Sequence, residues 1–138
     1  MNRTIGLALA VAVLLAMSLS ACSSETPTTP TPTGEKVTET FSGTISAGGF
    51  SLHPFTANLA GPVVATLTAL SPESTTSVVL ELGTYSYELC SAVVANNNAT
   101  VNSVTVGMAT AQVNLCLYLA DGGNVTETTS YTVTVSHY

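Results

Sequence analysis

The amino-acid sequence predicts an all-β fold, a two-sheet antiparallel β-sandwich of about eight short strands. Three observations carry this expectation. Thr, Ser, Val and Ala dominate, whereas only 7% of residues are charged; branched Thr and Val side chains suit a pleated surface. From Val37 onward apolar residues alternate with Thr or Ser, the period of a strand with one buried face. Gly, Pro and Asn interrupt these runs every ten residues or so, the spacing expected of turns in a sandwich. No stretch shows helical periodicity.

The strands follow in order. Phe41 and Ile45 share one face of the first (37–46), with Thr40, Ser42 and Thr44 on the other. Gly48-Gly49 turns the chain into a second (53–59), carrying His53, Phe55, Ala57 and Leu59, which Gly61-Pro62 breaks. Val63, Ala65 and Leu67 mark a third (63–68), and Ser71-Pro72-Glu73 a loop. Val78, Leu80 and Leu82 form a fourth, expected to end at Gly83. A fifth (87–95) carries Cys90, and Asn96-Asn97-Asn98 reads as a turn. The sixth, with Val101, Val104 and Val106, is less regular. In the seventh (113–120), Leu115, Leu117 and Leu119 face away from Cys116 and Tyr118. Asp121-Gly122-Gly123-Asn124 has the composition of a hairpin turn. Tyr131, Val133 and Val135 mark the last strand.

Two segments precede this domain. Met1-Asn2-Arg3 is a short basic start, and residues 5–17 are almost wholly apolar. Such a leader followed by small residues is an export signal, too short to span a bilayer comfortably. It ends in Leu19-Ser20-Ala21-Cys22, which resembles the lipobox of bacterial lipoproteins. The resemblance implies cleavage before Cys22, acyl chains on that cysteine, and a cell-envelope location. Ser23 stands where an Asp commonly signals inner-membrane retention, so the expected address is the outer membrane, on its periplasmic or surface face, if the source is Gram-negative. The organisation expected is thus a signal peptide (1–21), a lipidated Cys22 with a Thr/Pro-rich linker (22–36), and the sandwich (37–138). The linker holds Pro27, Pro30 and Pro32 and no large apolar residue; it suits an extended tether.

The formal net charge is −6. With the leader removed, Lys36 is the only basic side chain apart from the histidines. Binding to nucleic acid is therefore not expected, because phosphate contacts need Lys and Arg. Docking on anionic lipid is disfavoured for the same reason. Membrane contact is expected through the covalent lipid alone.

Phe41-Ser42-Gly43-Thr44-Ile45, Gly48-Gly49 and His53-Pro54-Phe55-Thr56 open a longer pattern. It continues through Val64-Ala65-Thr66-Leu67-Thr68, Leu115-Cys116-Leu117 with Asp121 and Asn124, and Tyr131-Thr132-Val133-Thr134-Val135. This pattern resembles the bacterial pre-peptidase C-terminal domain across most of residues 37–138. The resemblance implies a jelly-roll-like sandwich that accompanies exported enzymes and brings no catalytic residues. No peptidase domain accompanies it in this sequence.

Cys90 and Cys116 are an even pair in an oxidising compartment and are expected to form a disulfide. Catalysis is not expected, and no cofactor is implied. His53 and His137 are the only histidines, and Asp121 is the only Asp. A Ser-His-Asp constellation therefore has little to draw on, and no Gly-x-Ser-x-Gly elbow is present. His53, among apolar neighbours, reads as structural; His137, near the chain end, is expected to be exposed. Glu73, Glu81, Glu88 and Glu127 are scattered, with nothing to pair them as a glycosidase requires. Asp121, Asn124 and Glu127 offer oxygen ligands suited to calcium, although the same segment reads first as a turn. Tyr85, Tyr87 and Tyr118 are candidates for sugar stacking. The function expected is a non-catalytic binding or structural module on a lipid anchor. Its partners would be an envelope protein, a glycan, or further copies joined at strand edges. Replacing the acyl acceptor, Cys22→Ser, is expected to give a chain that takes up no labelled fatty acid; continued labelling would contradict the anchor.

Overall fold

A computed structural model of the chain describes residues 33–138. The export leader, Cys22 and most of the linker lie outside the described residues. Eight strands are present: β1 (Val37–Ile45), β2 (Phe50–Ala57), β3 (Gly61–Ser71), β4 (Val78–Ser86), β5 (Leu89–Ala99), β6 (Val104–Ala109), β7 (Val113–Ala120) and β8 (Thr129–His137). They form two four-stranded sheets, β1-β8-β3-β6 and β2-β7-β4-β5, and every pairing is antiparallel.

Only β4 and β5 are neighbours in both sequence and sheet. Every other connection passes from one sheet to the other. The pairings β1–β8, β2–β7, β3–β6 and β4–β5 describe one long hairpin rolled about its tip, the jelly-roll arrangement. The Asp121-Gly122-Gly123-Asn124 segment is accordingly not a hairpin turn. It carries the chain from β7 in one sheet to β8 in the other.

Alternation explains the core. Val63, Ala65 and Leu67 of β3, Val78, Leu80 and Leu82 of β4, Leu117 and Leu119 of β7, and Tyr131, Val133 and Val135 of β8 fill the space between the sheets. Most of these are wholly shielded from solvent, and each large aliphatic side chain contributes about 1.5–3 kcal/mol by leaving water.

Several boundaries differ from the sequence expectation. β2 runs Phe50–Ala57 rather than 53–59, and β3 runs Gly61–Ser71 rather than 63–68, so that it takes in Gly61-Pro62 and the first residue of the expected loop. Three further differences have a local cause. β4 does not stop at Gly83 but runs to Ser86, with the register against β5 shifting between Leu82 and Gly83. Glycine marks a bulge and close backbone approach here: a Cβ at this position would collide with the Ser91 carbonyl. The Asn96-Asn97-Asn98 run lies inside β5 rather than turning the chain. The reversal comes instead at residues 100–103, where Asn102 N donates to the Leu67 carbonyl at 2.7 Å. Finally, the turn between β4 and β5 is the pair Tyr87-Glu88. Both have positive φ, 49° and 63°, as a type I′ turn requires.

The same close approach at Gly83 makes the disulfide possible. Cys116 stands opposite Gly83 on one side of β4, and Cys90 stands opposite Tyr85 on the other. With no side chain at Gly83, β5 draws in, and Cys90 and Cys116 are bonded with their Cα atoms 5.8 Å apart. The bond closes a loop of 26 residues, for which the chain-entropy estimate is about 3 kcal/mol or slightly more. Replacing both cysteines by serine is expected to lower the unfolding free energy by about 2–4 kcal/mol, read from urea denaturation. Gly83→Ala, which crowds backbone rather than a flexible side chain, is expected to lower it by about 1–3 kcal/mol.

Candidate binding surfaces

The residues between the buried positions of β1, β8, β3 and β6 form the outer face of the first sheet. Strand pairing sets them in rows. One row is Thr40, Thr134, Thr66 and Val104; the next is Thr38, Ser136, Val64 and Val106. Beyond them Ser42 stands opposite Thr132, and Thr44 opposite Ser130. Ser42 Oγ and Thr132 Oγ1 share a 3.1 Å hydrogen bond, and Thr68 Oγ1 donates to the Thr132 carbonyl at 3.0 Å. None of the residues in these rows is charged. Hydroxyls and methyls thus repeat at about 4.8 Å across strands and about 6.8 Å along them. On β6 the face becomes apolar, with Val104, Val106 and Met108 all more than half exposed.

The outer face of the second sheet differs. Phe50 at the start of β2 stacks on Tyr118 of β7, ring centroids 5.3 Å apart and planes 25° from parallel. Phe50 is 63% exposed, and the sequence reading missed it because it directly follows the Gly48-Gly49 turn. Tyr118 stands opposite Glu81 of β4. Tyr85 and Tyr87 are four and six residues further along, at the β4–β5 end. The three tyrosines therefore do not form one platform. Tyr87 is almost fully exposed at the hairpin tip.

Both histidines lie toward the β1–β2 side. His53 Nε2 is 2.6 Å from the Tyr131 hydroxyl and 3.3 Å from Ser51 Oγ. Gly43, opposite Tyr131 in the β1–β8 register, leaves room for that hydroxyl: a Cβ there would stand 2.5 Å from it. Burial disfavours the charged His53 ring and lowers its pKa; in the neutral ring, which of Nε2 and the Tyr131 hydroxyl donates depends on the tautomer. His137 is buried, contrary to the expectation of exposure, because β8 continues through it. Its Nε2 is 2.8 Å from Glu39 Oε1, and Phe55 packs 5.3 Å from its ring. The two rings thus contact separate partners: His53 meets two hydroxyls and His137 a carboxylate.

Asp121 closes one end of the sandwich. Its Oδ2 accepts from Gly48 N at 2.8 Å, and its Oδ1 accepts from the backbone N–H groups of Gly123, Asn124 and Val125 at 2.7–3.0 Å. These bonds, that from Gly48 foremost and that from Val125 next, hold the carboxyl down to about 2. Asn124 Nδ2 instead donates to Ser77 Oγ, and Glu127 Oε1 accepts from Ser74 Oγ. The three oxygen-bearing side chains proposed for calcium are each directed to a different protein partner. Among the described residues, no three His, Cys, Asp or Glu side chains gather as a metal site.

No protein-family model matches the chain, and no curated protein matches it.

The clip at Asp121 predicts a pH dependence. Its folded pKa, about 2, lies below the ordinary 3.8. Its stabilisation is therefore present above the ordinary value and is lost as pH falls through the folded one. Asp121→Asn keeps an oxygen for three of the donors but sets an amide against Gly48 N–H. The variant is expected to be less stable than the parent chain near neutrality. The gap in urea midpoints should narrow as pH falls from about 4 to about 2; a gap constant across that window would contradict the assignment.

Proposed function

We propose that this chain is an envelope lipoprotein, held by acyl chains on Cys22, whose sandwich is a non-catalytic binding module. Its ligand is an uncharged, hydroxyl-rich polymer, a polysaccharide of the cell surface. The observation that supports this reading is the outer face of the first sheet. There, rows of Ser and Thr present donors, acceptors and methyl groups at a fixed repeat, with no charge. A neutral polymer of repeating hydroxyls matches such a face; an ionic partner finds nothing to pair with. The histidine contacts favour a non-catalytic role, since neither places an imidazole between a nucleophile and a carboxylate as a triad requires. The pre-peptidase resemblance is in keeping with this reading through its accessory, non-catalytic character. The acyl anchor suits a displayed binder, since each buried methylene contributes ~0.8 kcal/mol and two chains hold where one is marginal.

A second reading places the sugar on the opposite sheet, stacked against the Phe50–Tyr118 pair. The test is co-sedimentation of the full chain with insoluble cellulose and chitin, both uncharged. Retention is expected, and Thr134→Lys, which sets a charge in the middle of the hydroxyl rows, is expected to reduce it roughly tenfold or more. Loss through Tyr118→Ala with Thr134→Lys unaffected would move the site to the second sheet. No retention of the parent chain on either polymer would overturn the polysaccharide reading.

A further inference from the structure

Four strands are sheet edges: β1 and β6 in the first sheet, β2 and β5 in the second. An exposed edge is a template for another strand, and proteins blunt it with charge, proline, bulges or inward-turned charged residues. Three of the four edges carry such a device. β1 turns Glu39 toward His137, on the same face as Phe41 and Ile45. β2 has Pro54 in its middle, with no N–H to offer. β5 shifts register against β4 twice.

β6 carries none of them. Its sequence is Val-Thr-Val-Gly-Met-Ala, and its register against β3 is unbroken. It exposes Val104, Val106 and Met108 on one face. An apolar cleft of about 110 Å³ adjoins it, lined in part by Val63, Leu82, Val94, Met108 and Leu115.

We propose that β6 pairs with β6 of a second copy of this chain, antiparallel about a two-fold axis through Val106. Such an interface uses the same patch twice, so the patch must be self-complementary. This one is. Val106 meets Val106, Val104 meets Met108, and on the inner face Thr105 meets Gly107. The exposed stripe is apolar along its whole length, and no acidic side chain of β6 meets its copy, although the chain's formal net charge is −6. The product is a first sheet eight strands wide, its hydroxyl rows running outward on both sides of the axis. A six-residue ladder buries less than the roughly 1,200 Å² of a standard interface, so the pair is weak and is best detected by trapping it.

The full chain carrying Val106→Cys is oxidised mildly and resolved on a non-reducing gel, beside the parent chain and Val104→Cys. Directly opposed cysteines lie within bonding reach, whereas two copies of position 104 stand about 13 Å apart along the ladder. Roughly tenfold more dimer is expected from Val106→Cys than from either control, and a mixture of Val104→Cys with Met108→Cys is expected to cross-link as well. Val106→Lys is expected to abolish the concentration dependence of the parent chain's sedimentation. Equal cross-linking at positions 104 and 106, or none above the parent chain, would overturn the pairing. Cross-linking reports it whether or not the hydroxyl face holds a polysaccharide.

Discussion

One constraint organises this molecule: alternate residues of the strands must share a single apolar layer. The two sheets have no other common interior. Leu67, Leu80, Leu117, Leu119, Val133 and Val135 lie in that layer without solvent contact. Their positions fix which residues face outward, because a one-residue slip would turn a strand's whole apolar set into water. The hydroxyl rows on the first sheet are thus the counterpart of the core. Thr134 is displayed because Val133 and Val135 are buried on either side of it.

The roll of the chain decides what the displayed residues become. β1 and β8 are the first and last strands, yet they lie side by side. β3 completes the surface from the middle of the sequence. Such long-range pairings close large loops before any contact rewards them. Asp121 and the Cys90–Cys116 bond act against that cost in different ways. The carboxylate joins the β1–β2 turn to the β7–β8 loop at one end. The disulfide ties β5 to β7 across β4 nearer the hairpin end. Glycine permits the second of these, since Gly83 leaves room for the β5 backbone; Gly43 likewise leaves room for the Tyr131 hydroxyl.

Local features were legible in the sequence and their connections were not. β7 was predicted to its last residue, because a nearly unbroken apolar run from Val113 to Ala120 is bounded by Gln112 on one side and Asp121-Gly122-Gly123 on the other. The all-β class, the number of strands and the cysteine pairing were likewise readable. Gly83 was misread because glycine in a strand marks either an end or a bulge, and only the approach of Ser91 separates the two. The Asp121 segment has hairpin chemistry but joins different sheets, a fact that resides in the partners of β7 and β8. His137 was expected to be exposed near the chain end, but β8 continues through it and it is buried against Glu39 and Phe55. The hydroxyl face was present in the sequence as alternating Thr and Ser on several strands. Nothing local shows that Thr40, Thr134 and Thr66 stand in one row.

That row is the most direct point of test, because the surface exists only if β8 lies between β1 and β3. Nuclear Overhauser contacts between backbone protons of the folded chain read this arrangement without altering a residue. The account predicts that Thr134 contacts both Thr40 and Thr66 across its two neighbouring strands. Contacts placing β8 beside β7 instead, as a simple hairpin through Asp121 would give, would contradict it.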